Sequence, residues 1–174
     1  MSHRATPLPG SLAARVADET GVAPSRCYQC GRCAAGCMQN EAGEMDLSPT
    51  LLMHLLQLEA AFAHEPEVAA GYAARALTAD APWLCAGCLA CSERCPQGVD
   101  VAGAMDVLRQ EALRRGVASR SPKAKDAQAL HRTFVGQVLR RGKLPLTPRP
   151  GPELERLRTA VGALRCDGAA EEDP

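Results

Sequence analysis

The stretch "CYQCGRCAAGC", residues 27–37, sets four thiols at the spacing C-x2-C-x2-C-x3-C. The same spacing returns in "CAGCLACSERC", residues 85–95, and there Pro96 follows the last cysteine. Two intervening residues let a turning backbone present successive thiolates to neighbouring irons of one cube, with its amide N–H groups free to face the cluster sulfurs. Gly31, Gly36 and Gly87 lie inside the runs, where the backbone must come close. This is the arrangement expected of a protein holding two [4Fe–4S] cubanes, in which the fourth cysteine of each run crosses to the other cluster. The expected ligand sets are therefore Cys27, Cys30, Cys33 and Cys95 for one cluster, and Cys85, Cys88, Cys91 and Cys37 for the other. Such crossing ties the two halves of a small fold together through metal.

The competing reading is a pair of zinc sites with four cysteine ligands each. Zinc knuckles use paired C-x2–4-C units separated by a longer loop, not a triplet followed by x3-C, and the spacing argues against them. Cys166, the ninth cysteine, stands outside both runs beside the acidic tail and reads as an incidental thiol.

Working outward, the chain has 174 residues, 46% hydrophobic and only 3% aromatic, so its core must be built from Ala, Leu and Val. That composition predicts an all-α protein. Residues 1–22 read as a flexible arm with one helical turn set around Leu12, Ala13 and Val16. Residues 23–143 form the predicted helical domain with both cysteine runs. Within it, "LSPTLLMHLLQLEAAF" has Ser48 as N-cap and Pro49 at the first helical position, with Leu51, Leu52, Leu55, Leu56, Leu58 and Phe62 at helical spacing. "EPEVAAGYAARALTAD" predicts a second helix with Val68, Tyr72, Ala76 and Leu77 inward, closed by "APWLC". A third starts at the Asp100 cap and stops at Gly116, with Val101, Ala104, Met105, Leu108 and Ala112 on one side. A fourth runs from Ser121-Pro122 to Gly142 and ends in two arginines, which suits the helix dipole. Residues 144–174 hold the rest of a proline-rich linker, a short helix carrying Leu154, Leu157, Val161 and Leu164, and an acidic tail.

Twenty basic and twenty acidic residues give zero formal charge, which argues against a nucleic-acid binder. Cubanes with four thiolates add negative charge, so the loaded protein is expected to be acidic. Arg26, Arg32 and Arg94 flank the cysteines and are candidates for raising cluster potentials; the alternative is that they are solvated surface groups. No apolar run approaches the roughly 20 residues of a membrane span, and the N-terminal stretch lacks the apolar core of a signal peptide. A reducing cytoplasm is the expected location, where nine cysteines point to metal and not to disulfides. His54 and His131 read as packing or surface residues, because the cubanes need no further ligand.

Beyond the cysteines, "MDLSPTLLMHLLQLE", "WLCAGCLACSERCPQGVDVAGAMDVLRQEALRRG" and "LHRTFVGQVLRRGKL" resemble the C-type iron–sulfur component of heterodisulfide reductase and its bacterial relatives, over about four-fifths of the chain. The resemblance implies an α-helical ferredoxin fold with two [4Fe–4S] clusters and the eight ligands named above. It also implies a non-catalytic relay role, carrying electrons between a flavin-bearing A-type subunit and a B-type subunit whose cysteine-rich motifs act on disulfides. The chain has no G-x-G-x-x-G, no P-loop and no Cys-Cys-Gly motif of the B type, so catalysis is expected on a partner. One departure stands out: family members usually have Pro after the fourth cysteine of the first run, and here it is Met38, which either frees an amide near the cluster or loosens the turn. The alternative function is an iron–sulfur subunit of a succinate- or fumarate-type dehydrogenase. That class usually carries a preceding [2Fe–2S] motif, and no cysteine precedes Cys27. A redox-sensing or DNA-binding regulator, the third class, is disfavoured by the neutral charge and the lack of a basic patch.

Overall fold

The helical turn expected around Leu12, Ala13 and Val16 extends to nine residues as the first helix. The computed structural model describes residues 10–142, and there α1 spans Leu12–Thr20, capped by the Ser11 hydroxyl and ended by Gly21 in the left-handed region. Leu12, Ala13 and Val16 have essentially no exposed surface. The reason is long-range: both carboxylate oxygens of Glu59 accept the backbone N–H groups of Leu12 and Ala13, each at 2.7 Å. A carboxylate at a helix N-terminus satisfies two otherwise orphaned donors and complements the dipole.

A 3-10 turn over Pro24–Arg26 then delivers the chain to Cys27. The short helix α2 (Met38–Glu41) starts directly after Cys37, so Met38 does not loosen the turn: Glu41 N–H bonds Cys37 O at 2.9 Å and closes it. Helix α3 (Pro49–Ala61) has the expected Ser48 cap. Leu52, Met53, Leu55 and Leu56 are buried on it, whereas Leu51 faces outward. Helix α4 (Pro66–Leu77) packs along α3 and buries Ala73, Ala76 and Leu77, with Val68, expected inward, exposed near its start. The turn at "APWL" is itself a helix, α5 (Ala81–Leu84), and α6 (Ala90–Glu93) is a second short one inside the second cysteine run. Helix α7 (Val101–Arg114) begins at the Asp100 cap, and α8 (Pro122–Arg141) runs from the Ser121 cap to Gly142 in the left-handed region. Every element of regular structure among the described residues is helical, as the composition predicts. The linker, the leucine stripe from Leu154 to Leu164, the acidic tail and Cys166 lie outside the described residues.

The core joins α1, α3 and α7 through Leu12, Leu52, Met53, Leu56, Met105 and Leu108. Burying a side chain of this size stabilises by about 1.5–3 kcal/mol. In a chain so poor in aromatics, many such small contributions replace a few large ones. Two aspartates, exposed Asp46 and buried Asp80, finish the frame. Asp46 accepts the N–H groups of Asp80 and Ala81, and Asp80 in turn accepts those of Arg120 and Ser121, so the starts of α5 and α8 hang from one relay.

The two halves repeat. "APSRC" (23–27) and "APWLC" (81–85) each lead into a cysteine run through a proline-containing helical turn. Downstream, "MHLLQLE" (53–59) on α3 matches "MDVLRQE" (105–111) on α7, at the same distance from the capping residue (48 to 59, and 100 to 111). Glu59 and Glu111 are thus counterparts, and both are buried. Glu111 is ringed by Arg115 at 2.6 Å, Arg114 at 3.5 Å and Arg15 of α1 at 3.3 Å, the last an ion pair without hydrogen-bond geometry. Helix α1 is therefore held at its N-terminus by one half and through Arg15 by the other.

Candidate metal centre

Each cysteine run coils because two residues beside its second cysteine are left-handed. In the first run these are Gln29 (φ 62°) and Gly31 (φ 78°); in the second they are Gly87 (φ 66°) and Leu89 (φ 62°). The positions correspond one to one, with the glycine before the second cysteine in one run and after it in the other. A non-glycine residue in this region costs roughly 1–2 kcal/mol, so each run carries one strained residue. Successive turns of this type direct backbone N–H groups into a common concavity that favours anions.

Eight cysteines lie among the described residues and none forms a disulfide. Cys30 and Cys88, at equivalent positions, are exposed; Cys33 is buried and the others are half-buried. The Cys27 thiol is pushed up from its ordinary pKa, first by burial and then by the nearby sulfurs of Cys33, Cys95 and Cys30, against the lowering effect of a Gln29 backbone bond. Cys95 thus sits with the first run although it belongs to the second. Conversely, Cys37 shares one cavity with Cys85, Cys88 and Cys91, walled by Met45 and Met105. Burial, followed by the neighbouring Cys85, likewise raises the Cys91 thiol, with Ser92 acting against them. The eight sulfurs therefore gather as two mixed sets, each with three members from one run and one from the other. No three His, Cys, Asp or Glu side chains among the described residues are grouped as a single metal ion would require.

Donors approach the sulfurs. Val99 N–H reaches Cys95 Sγ at 3.3 Å and Gly87 N–H reaches Cys85 Sγ at 3.5 Å. Gln29 Nε2 lies 3.5 Å from Cys27 Sγ, and the Thr50 hydroxyl 3.2 Å from Cys33 Sγ. A ring of N–H and O–H groups on sulfur suits thiolates bound to a net-negative cluster. The concave backbone and the sulfur-rich donor sets fit [4Fe–4S] groups.

Two side chains unremarked in the sequence hold the turns that carry the first cysteine of each run. Gln57 of α3 donates through Nε2 to Pro24 O (3.0 Å) and to Cys27 O, while its carbonyl accepts from Gln29 Nε2 at 2.8 Å. Arg109 of α7 donates through Nε to Pro82 O and through Nη2 to Cys85 O at 2.7 Å. The signal that finds them is the longer repeat, A-P-x-x-C upstream and M-x3-[QR]-x-E downstream.

Among the flanking arginines, Arg26 and Arg32 are exposed. Arg94 is also exposed, but its guanidinium lies over Gly36, in space that any Cβ there would occupy. Glycine at 36 thus lets one run rest on the other. His131 packs edge-on against Trp83 with ring centroids 5.8 Å apart, and His54 is half-buried with Nδ1 shielded and unbonded. Neither joins the cysteines.

Residues 23–99 match the 4Fe-4S dicluster domain family. These residues form a domain for two [4Fe–4S] clusters. The zinc alternative falls with that match. Among curated proteins, the chain is 29% identical over 99 residues to the C-type iron-sulfur subunit of the CoB–CoM heterodisulfide reductase of Methanopyrus kandleri, covering 57% of this chain and 44% of that protein. It is 27% identical over 162 residues to the iron-sulfur protein numbered C 2 of the same enzyme from Methanocaldococcus jannaschii, covering 81% and 74%. The C2 component of the H2/formate:CoB–CoM heterodisulfide,ferredoxin reductase of Methanococcus maripaludis is 25% identical over 93% of this chain and 82% of its own length. The chain thus spans less than half of the Methanopyrus relative and about three-quarters or more of the other two. The resemblance expected from the non-cysteine residues is borne out, and an electron-transfer role accords with the dicluster domain. Among the described residues no helix is long and apolar enough to cross a membrane.

Proposed function

We propose that this chain is the electron-relay subunit of a heterodisulfide reductase-like complex, passing electrons between a flavin-containing A-type subunit and a disulfide- or thiol-active B-type subunit. The observation that carries this reading is the gathering of eight cysteines into two mixed sets in a dicluster domain whose relatives are named as such subunits. In this reading Cys27, Cys30, Cys33 and Cys95 hold one cluster, and Cys85, Cys88, Cys91 and Cys37 hold the other. When bound, the clusters supply one-electron carriage at potentials tuned by charge, hydrogen bonds and exposure.

The protein's own residues do the rest. The left-handed pairs Gln29/Gly31 and Gly87/Leu89 turn the backbone donors inward, and Gln57 and Arg109 fix the first cysteine of each run. Exposed Cys30 and Cys88, beside exposed Tyr28 and Leu89, offer a short path for electrons to a partner on each side. Eight thiols without a disulfide fit a cytoplasmic location.

The test is iron and acid-labile sulfide on anaerobically purified chain, with EPR after dithionite reduction. About eight of each per chain, with signals of two interacting clusters, are expected. Cys95→Ala should remove the cluster of the first run although the residue belongs to the second. Two zincs without sulfide would overturn the relay reading. Electron transfer from a partner flavoprotein through the loaded chain to a B-type subunit then checks the complex.

A further inference from the structure

The repeat makes the two halves nearly equivalent, and one difference between them bears directly on the clusters. Gln57 and Arg109 stand at the same helical position, each nine residues after its capping residue (48 to 57, and 100 to 109). They make the same pair of bonds, to the carbonyl of the proline three residues before the first cysteine and to the carbonyl of that cysteine. One anchor is a neutral amide and the other a permanent cation. We propose that Arg109 is a positioning residue that also sets the order of the two cluster potentials, making the cluster of Cys85, Cys88, Cys91 and Cys37 the more easily reduced. This inference rests on the proposed ligand sets.

Three observations support the sign. The Arg109 side chain is only 17% exposed, so solvent screens its charge poorly, whereas Arg26 and Arg32 beside the first run lie exposed in water. Two guanidinium nitrogens face the Pro82 and Cys85 carbonyls, which aims the cation at the second run. Its counter-charge, Asp106, is 63% exposed and takes Nη1 at 2.7 Å, which leaves Nε and Nη2 to the two carbonyls. Arg114 also lines this groove but is 60% exposed and paired with Glu111 at 3.5 Å, and His131 faces it from α8 with its pKa held down by burial and then by Arg109, with Asp106 opposing. At neutral pH it adds no second cation. In the first half the position matching Asp106 is His54, and the anchor there carries no charge at all.

A cation held beside a cluster stabilises the added electron, so replacing it lowers the reduction equilibrium constant. For Arg109→Gln, which copies the other half, the expected loss is roughly tenfold, about 59 mV for one electron, at the second-run cluster only. Arg109→Lys keeps the charge and loses the fork, and should recover most of the shift. Asp106→Asn removes the counter-charge and should move the same cluster upward by about twofold to threefold, the smaller size reflecting its exposure.

The experiment is an EPR-monitored redox titration of the full-length loaded protein and the three variants, with iron and sulfide measured on every sample. Each signal is assigned by repeating the titration in Cys30→Ala and Cys88→Ala backgrounds, which each remove one cluster. A selective downward shift in Arg109→Gln with the opposite sign in Asp106→Asn supports the proposal. Equal shifts of both clusters, or unchanged potentials at full iron content, overturn it while leaving the relay reading intact. Absence of iron and sulfide from the unmodified chain overturns both. If Arg109→Gln fails to load, Asp106→Asn and Arg109→Lys decide, and a second-run potential that does not rise in Asp106→Asn refutes the proposal.

Discussion

Glu59→Gln is the sharpest probe of how the first cysteine run is supported. The wild-type carboxylate is buried and bonds the N–H groups of Leu12 and Ala13 at 2.7 Å each, where α1 begins. Glutamine keeps the shape but offers one acceptor oxygen and turns an N–H2 donor toward the second backbone donor. One charge-assisted bond is lost, worth about 1.5–3 kcal/mol. Removing negative charge from the helix start adds about 0.3–1 kcal/mol. The expected destabilisation is therefore about 2–4 kcal/mol, a large fraction of the roughly 5–15 kcal/mol typical of a domain. Denaturant unfolding of the loaded protein, followed by far-UV circular dichroism and by cluster absorbance, measures it. Hydrogen exchange adds a local readout: the amides of α1 should exchange faster than those of α8. Helix α1 packs on the Pro24–Arg26 turn, so cluster loss at the first run should precede global unfolding. A change below about 0.5 kcal/mol, the range of a neutral surface substitution, would refute the assignment of Glu59 as the clamp.

Leu89→Gly should stabilise by about 0.5–1 kcal/mol, since it relieves a left-handed residue that is largely exposed, partly offset by greater freedom of the unfolded chain. Gly87→Ala should cost at least about 1–2 kcal/mol from its left-handed backbone alone, since no protein atom lies within 4 Å of the added methyl; thermal unfolding of both variants checks the pair. His131 has a folded pKa below its ordinary value, so the unfolded chain binds its proton more readily. Its contribution is complete above the unfolded value of about 6.5 and is lost as pH falls through the lower folded value. His131→Gln should therefore flatten the stability-versus-pH curve as pH falls below about 7, measured by urea titration at each pH.

Much of the candidate site was legible because cubane ligation imposes a tight spacing on the cysteines that supply its usual thiolates. The long helices were legible for a similarly local reason: Ser48, Asp100 and Ser121 all act as the caps that their side chains favour. Helix α1 showed in the sequence only as one turn around Leu12, Ala13 and Val16, because its docking comes from Glu59, 47 residues away from Leu12, and from a core that composition cannot order. Leu51 and Val68 faced the wrong way in the sequence reading because periodicity ranks an apolar residue as inward wherever its phase allows. Both sit near helix starts, where neighbours are few. The short helices α2 and α6 are consequences of cysteine-run geometry, with left-handed Leu89 starting α6, and no propensity announces them. Gln57 and Arg109 look like ordinary polar positions until the two halves are aligned on their caps.

Trp83, the only tryptophan in the chain, stands two residues before Cys85, nearly buried on α5 and edge-on to His131 of α8. Its counterpart in the first half is Ser25, so the molecule carries an optical probe on one side only. Emission from this indole will be quenched chiefly by an iron–sulfur chromophore next to the second run. Fluorescence recovery during oxidative cluster loss is therefore weighted toward that half, and colour bleaching reports the sum. The lag between the two traces gives the order in which the halves come apart, without labels or mutation.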